Sequence, residues 1–224
     1  SDVCSPICLH RIGGLLLYNQ KIYRLSSDNL IGSLPYKQQG LAARATYSWN
    51  DRYFFEANLG YNGSENFSPE KRFGFFPAFG LGWAISNEAW WESLQETVSY
   101  FKVRYTDGLV GTDAVTGRRF MYLDQMASVD GYRFGDQNNG VGGWGFSKYG
   151  ANVGWSTSRK QDLGVDLKFF KDNLSLTLDI FKEHRKDIFI TRRVIPDYSG
   201  FVEMPYANLG VVDNKGFEAT LEYT

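Results

Sequence analysis

In residues 52–63 the odd positions carry Tyr53, Phe55, Ala57, Leu59 and Tyr61, while the even ones include Glu56, Asn58, Gly60 and Asn62. A period of two sends alternate side chains to opposite faces of a β-strand, so one face suits hydrocarbon and the other water. Residues 38–49 repeat the pattern, with Leu41, Ala43, Ala45, Tyr47 and Trp49 set against Ala42, Arg44, Thr46 and Ser48. In 73–86, Phe73, Phe75, Pro77, Phe79, Leu81, Trp83 and Ile85 face away from a row of mostly small residues, Gly74, Ala78, Gly80, Gly82 and Ala84. The spacing predicts further strands over 98–111, 158–170, 174–187 and the segment around Phe217 to Tyr223, together with a less regular one over 11–23 that contains Leu15, Leu16 and Leu17. Pro77 lacks an amide hydrogen and is expected to mark a strand start or a bulge.

Eight strands result, and the connections between them take turns in length. Residues 24–36, 64–72, 112–156 and 191–212 are the longer ones; Asn50-Asp51, 87–97 and Lys171-Asp172-Asn173 are shorter. Short turns on one side and long loops on the other characterise outer-membrane barrels, with the short turns periplasmic and the long loops extracellular. The predicted fold class is all-β, an antiparallel up-and-down transmembrane β-barrel segment of about eight strands belonging to a larger barrel. Trp49, Tyr53, Trp83, Phe169 and Tyr223, near strand ends, are expected in the interfacial girdles, where amphipathic rings are most comfortable. A soluble β-barrel or sandwich acting as a ligand-binding module alternates in the same way, with its apolar face turned inward. The two readings separate on whether Tyr53, Phe55, Leu59, Phe79, Leu81 and Trp83 point out of the sheet or into a closed core.

Composition narrows the function classes. Lysine plus arginine number 24 and aspartate plus glutamate 25, a net charge of −1, which gives no basic surface for nucleic acid. Aromatic residues make up 17% of the chain, yet the best apolar run, residues 12–18, is far shorter than a spanning helix requires. Cys4, Cys8 and His10 lack a fourth ligand for zinc, so no metal site and no cofactor are expected. The start shows no basic region followed by an apolar stretch, the pattern of a secretory signal. The carboxylates Asp162/Asp166 and Glu218/Glu222 share strand faces, but a spacing of four residues in a strand is ~13 Å, beyond the separation of a glycosidase pair. They are expected as lumen-facing charge, and His184 as part of a charged strand extension. The glycines at 140–145 precede no GK(S/T) and form no phosphate loop. No catalytic constellation is found.

Several runs resemble the SusC/RagA family of TonB-dependent outer-membrane transporters: LLLYNQ at 15–20, SLPYKQQGLAARATYSWNDRYFFEANLGYNGSENF at 33–67 and KRFGFFPAFGLGWAIS at 71–86. YFKVRYTDGLVGTD at 100–113, LGVDLKFFKDNLSLTLDIFKEHRKDIFI at 163–190 and NLGVVDNKGFEATLEY at 208–223 extend the likeness. Residues 1–10 fall outside it and form an atypical tail; residues 11–224 correspond to part of the barrel, with no recognisable plug domain. The resemblance implies import of oligosaccharides or peptides across the outer membrane, a barrel of about twenty-two strands, a SusD-like lipoprotein partner, and coupling to the TonB complex through a region outside this chain. A wall piece of this kind is expected to be inactive in isolation. Substrate contacts are then expected from extracellular-loop aromatics, Trp144, Phe146, Tyr149 and Trp155, which could equally pack within the loop or against the lipoprotein.

Overall fold

The computed structural model describes residues 9–26, 30–113, 119–131, 133–134, 139–140, 142–201 and 203–223. Cys4 and Cys8 lie outside the described residues. The strands, in chain order, are β1 (His10–Tyr23), β2 (Tyr36–Trp49), β3 (Tyr53–Ser64), β4 (Phe73–Ala84), β5 (Val98–Thr112), β6 (Gln125–Val129), β7 (Arg133–Phe134), β8 (Asn139–Gly140), β9 (Gly143–Lys148), β10 (Ser156–Phe169), β11 (Leu174–Thr191) and β12 (Tyr206–Tyr223). Eight of these form one antiparallel sheet in the order β1-β2-β3-β4-β5-β10-β11-β12, so each long strand pairs with its neighbour in the chain.

The register carries the alternation across the whole sheet. One rung runs Ile12, Tyr47, Phe55, Leu81, Tyr105, Leu163, Ile180 and Phe217 from β1 to β12. Every member is apolar or a tyrosine. The next rung towards the short turns is His10, Trp49, Tyr53, Trp83, Val103, Val165, Leu178 and Ala219. This face has nothing packed on it: Phe55, Leu59, Leu81, Ile180 and Phe217 are all exposed. The buried hydrophobic residues among those described are Phe67, Ala84, Ile85, Met121, Ala151 and Val153, none of them on that face in the middle of the sheet. A soluble sandwich would bury its apolar face as its core. Here Tyr53, Phe55, Leu59, Phe79, Leu81 and Trp83 point away from the protein, as a membrane wall requires.

Strand tilt follows from the same register. Tyr53, at the β2–β3 turn, shares its rung with Val165, but β10 continues four residues further, to Phe169, before its own short turn. Four residues are ~13 Å along the strand and three interstrand steps are ~14 Å across it. The short-turn edge therefore runs at about 40–45° to the rungs, matching the tilt of strands in a membrane barrel.

The tight turns use residues that tolerate left-handed backbone. Asn50 and Asp51 both have φ of 50°, the conformation that twists a two-residue hairpin the right way. Tyr53 stacks between Trp49 and Trp83 at centroid distances of 5.5 and 6.2 Å, forming an outward aromatic row at this edge. Glu88 anchors the row from the β4–β5 connection. It accepts hydrogen bonds from the Tyr53 hydroxyl at 2.8 Å, the Trp83 indole at 3.1 Å and Arg52 at 3.1 Å. The Tyr53 hydrogen bond first, then that of Trp83 and the charge of Arg52, hold the Glu88 carboxyl below its ordinary range. A depressed folded pKa stabilises the fold above the unfolded carboxylate pKa, and that contribution disappears as pH falls through the folded value. Thermal unfolding from pH 7 down to pH 3 should therefore show a steeper acid loss for the natural protein than for Glu88→Gln. Parallel curves would show that Glu88 does not contribute to the acid sensitivity.

Three expectations are corrected by the structure, and one further connection gains detail. Pro77 is neither a strand start nor a bulge: it sits inside β4, opposite Leu59 in an unbroken β3–β4 register. The β4–β5 ladder begins at Ala78, one residue later, so the missing amide hydrogen coincides with the end of pairing on that side. The stretch 112–156 is not free of strands: β6 pairs with β9 and β7 with β8 in two small sheets. The 191–212 connection is shorter than expected, since β12 starts at Tyr206. The 24–36 connection holds a short helical turn, Leu30–Ser33.

Candidate functional site

The face opposite the apolar one is polar and internally paired. On β2 and β3, Arg44 donates to Glu56 at 2.7 Å, and Asn58 donates to the other oxygen of the same carboxylate at 2.7 Å. On β4 and β5 the small side of the sheet, Ala78, Gly80 and Gly82, lies beside Lys102, whose ammonium group sits 4.7 Å from the centre of the Phe54 ring. Further round, one guanidinium serves three carboxylates: Arg104 bonds Asp162 at 3.3 Å, Asp166 at 3.3 Å and Asp179. Asp162 and Asp166 are thus the two arms of an arginine clamp. Gly164 makes this possible, because a Cβ there would collide with the Arg104 guanidinium and the Asp179 carboxylate. Asp179 also stands directly opposite Glu218 on β12, while Lys102 stands opposite Asp166, so charges of both signs are set side by side over this quarter of the face.

A second assembly caps the edge carrying the longer connections. Phe67, Met121, Ala151 and Val153 are buried together, with Trp155, Phe189 and Tyr206 packed against them. Trp155 contacts Phe67 and Phe76 with ring centroids at 5.3 and 5.1 Å, and its indole donates to the Arg72 carbonyl at 3.3 Å. The Phe76 ring in turn lies over Gly111, where a side chain would displace it. Arg119 ties three connections together. It donates to Glu65 at 2.6 Å and to the carbonyls of Leu34 and Pro35 at 2.8 and 3.1 Å, with its guanidinium 3.6 Å from the centre of the Tyr36 ring.

The four aromatics singled out from the sequence divide here. Phe146, on β9, stacks on Tyr149 at 5.4 Å, and Tyr149 meets Phe201 of the β11–β12 connection edge-on at 4.9 Å. Trp144 stands on the same short strand and is 75% exposed, the most open tryptophan described. Trp155 is built into the packed cap instead. Phe201 and Arg119 were not singled out, and nothing local distinguishes them: each gains meaning only from residues brought in from other connections.

A tilted, two-faced sheet with an unpacked apolar exterior, a charge-paired opposite face and loops gathered at one edge defines a piece of transmembrane β-barrel wall. The family model described as TonB dependent receptor-like, beta-barrel matches residues 16–224, and the chain belongs to that family. It is 29% identical over 178 residues to TonB-dependent receptor P3 of Formosa agariphila, covering 80% of this chain and 17% of that protein. To TonB-dependent receptor SusC of Bacteroides thetaiotaomicron it is 26% identical over 181 residues, covering 80% of this chain and 18% of that protein. The chain therefore spans less than a fifth of the length of these relatives. Among solved structures, the RagAB peptide transporter superposes with a TM-score of 0.77 at 18% identity, over 97% of this chain and 26% of that one, a likeness of fold. The siderophore receptor PirA of Pseudomonas aeruginosa gives 0.58 at 13% identity, over 95% of this chain and 36% of that one.

Proposed function

We propose that this chain is wall from an outer-membrane importer of oligomeric nutrients, oligosaccharides or peptides, energised through TonB by a region outside these residues. The observation that carries the reading is the pairing of an exposed apolar face with an opposite face of ion-paired residues: lipid on one side, a water-filled lumen on the other. The short-turn edge is then periplasmic and the capped edge extracellular, since barrels of this type place their longer loops outside. The likeness to the RagAB peptide transporter supports peptides as one substrate class, and the resemblance to the SusC/RagA family supports oligosaccharides as the other and a SusD-like lipoprotein as the partner above the loops.

Trp144, Phe146 and Tyr149, with Phe201, supply the substrate contact, because aromatic faces stack on sugar rings and pack against peptide side chains. Trp155 supports them from within the packed cap. The test is binding of a panel of oligosaccharides and oligopeptides to the whole receptor and its Trp144→Ala/Phe146→Ala variant. Loss of two aromatic contacts at about 1 kcal/mol each corresponds to at least a ten-fold weaker affinity for one class. Unchanged affinity for every member of the panel would remove these aromatics from the site.

A further inference from the structure

On the outward face of β10, β11 and β12 the continuous apolar rungs end together, and the single Val211 lies beyond on β12. Leu163, Ile180 and Phe217 form the last apolar rung, and the next one towards the long-loop edge is Gln161, Lys182 and Lys215. Lys182 and Lys215 are directly opposed across the β11–β12 ladder, where Cβ atoms are ~5 Å apart and like charges repel. Neighbouring acids are committed elsewhere. Asp213, diagonal to Lys182, binds His184 Nδ1 at 2.7 Å, and Asp107, one strand beyond Gln161, is paired with Arg159. Neither lysine has an ion-pair partner among the described residues, and both are exposed. Lys186 follows two positions beyond His184 on β11, making the edge of the hydrocarbon band cationic over both strands.

A repulsive pair at the rim of a lipid-facing surface is relieved by an anion shared between the two ammonium groups. Lysine stems reach away from the apolar layer while their heads stay in the polar one. Directly beneath, Ile180 and Phe217 are 62% and 79% exposed, an apolar floor continuous with Leu178 and Leu221. Phosphate above and acyl chain below is the chemistry of a phosphorylated membrane lipid. We infer that Lys182 and Lys215 form a headgroup clamp for a lipid phosphate in the leaflet on the long-loop side, with Ile180, Phe217 and Leu221 seating its acyl chain. This rests on the reading that the apolar face meets lipid.

The experiment places the whole receptor in phosphatidylcholine nanodiscs doped with a bis-phosphorylated glucosamine-disaccharide glycolipid, and counts retained glycolipid by native mass spectrometry. The natural protein should retain it, Lys182→Gln/Lys215→Gln should retain about ten-fold less, and Lys160→Gln, on the lumen face, should match the natural protein. The dephosphorylated glycolipid should not be retained, and millimolar inorganic phosphate should not displace the intact one, because the acyl seat is part of the site. Equal retention by the double variant, or equal retention of the dephosphorylated lipid, overturns the clamp. Displacement by inorganic phosphate overturns it too, as that would make the site one for free anion. Brominated acyl chains should quench I180W more than the natural protein; if they do not, the lipid-facing reading itself has failed and the clamp falls with it.

Discussion

Leu59→Arg is expected to lower the unfolding free energy of the barrel in a phospholipid bilayer by about 2–4 kcal/mol, the cost of an arginine at mid-depth on a lipid face. Leu59 sits mid-strand on β3 between Ala43 and Pro77, with no acid on its face nearby to accept the new charge. Thr177→Arg is the matched control. Thr177 lies opposite Asp166 and Thr220 on the polar face, so the same side chain there meets water and carboxylates and should shift stability by less than ~1 kcal/mol. Urea titration of bilayer-embedded protein, followed by tryptophan fluorescence, reads both. If the apolar face met water, Leu59→Arg would behave like any exposed substitution and fall within about half a kcal/mol of the natural protein. Equal effects of the two variants would therefore remove the assignment of the apolar face to lipid, and a larger cost for Thr177→Arg would reverse it.

How legible the wall was in the sequence depends on how strictly each strand keeps its period. β3 does so without interruption, and its register with β2 and β4 runs unbroken from Tyr53 to Gly63. β12 does not. Its pairing with β11 slips between Arg185 and Ile188 and again between Ile188 and Phe189, and Asp187 adopts φ of 59°. The first slip puts its extra residue on β11, beside Asp187, and the second puts one on β12, at Leu209, so the alternation of both strands breaks towards this end. The short pairs β6–β9 and β7–β8 are hidden for another reason: strands of two to six residues, two of them with glycine or asparagine at a terminus, leave too few alternations to recognise. The site shows the same division. Asp162 and Asp166 were readable as residues sharing one face because strand geometry dictates it, but their common partner Arg104 lies 58 and 62 residues away and only the fold brings it there. Trp155 was conspicuous as an aromatic, and only packing shows that its place is within the cap.

Arg119→Met should cost the cap on the long-loop edge about 3–5 kcal/mol, because breaking a buried ion pair strands the remaining charge. Arg119 and Glu65 are 9% and 15% exposed, and the same guanidinium holds the carbonyls of Leu34 and Pro35, so three polar groups lose their donor at once. The loss should be local. The eight-stranded ladder does not depend on this arginine, whereas the 24–35, 65–72 and 113–155 connections meet at it. Hydrogen exchange should accelerate by two to three orders of magnitude in those three connections while β3 and β4 stay protected. Glu65→Gln in the same background should restore a large part of the protection, since a neutral amide in that position leaves no uncompensated charge and can still accept from the Lys37 amide. A substrate site assembled on these loops needs them held together, so in the whole receptor Arg119→Met should weaken ligand affinity and the double variant should recover part of it. Acceleration spread evenly over the sheet would instead mean that the cap and the wall unfold as one unit.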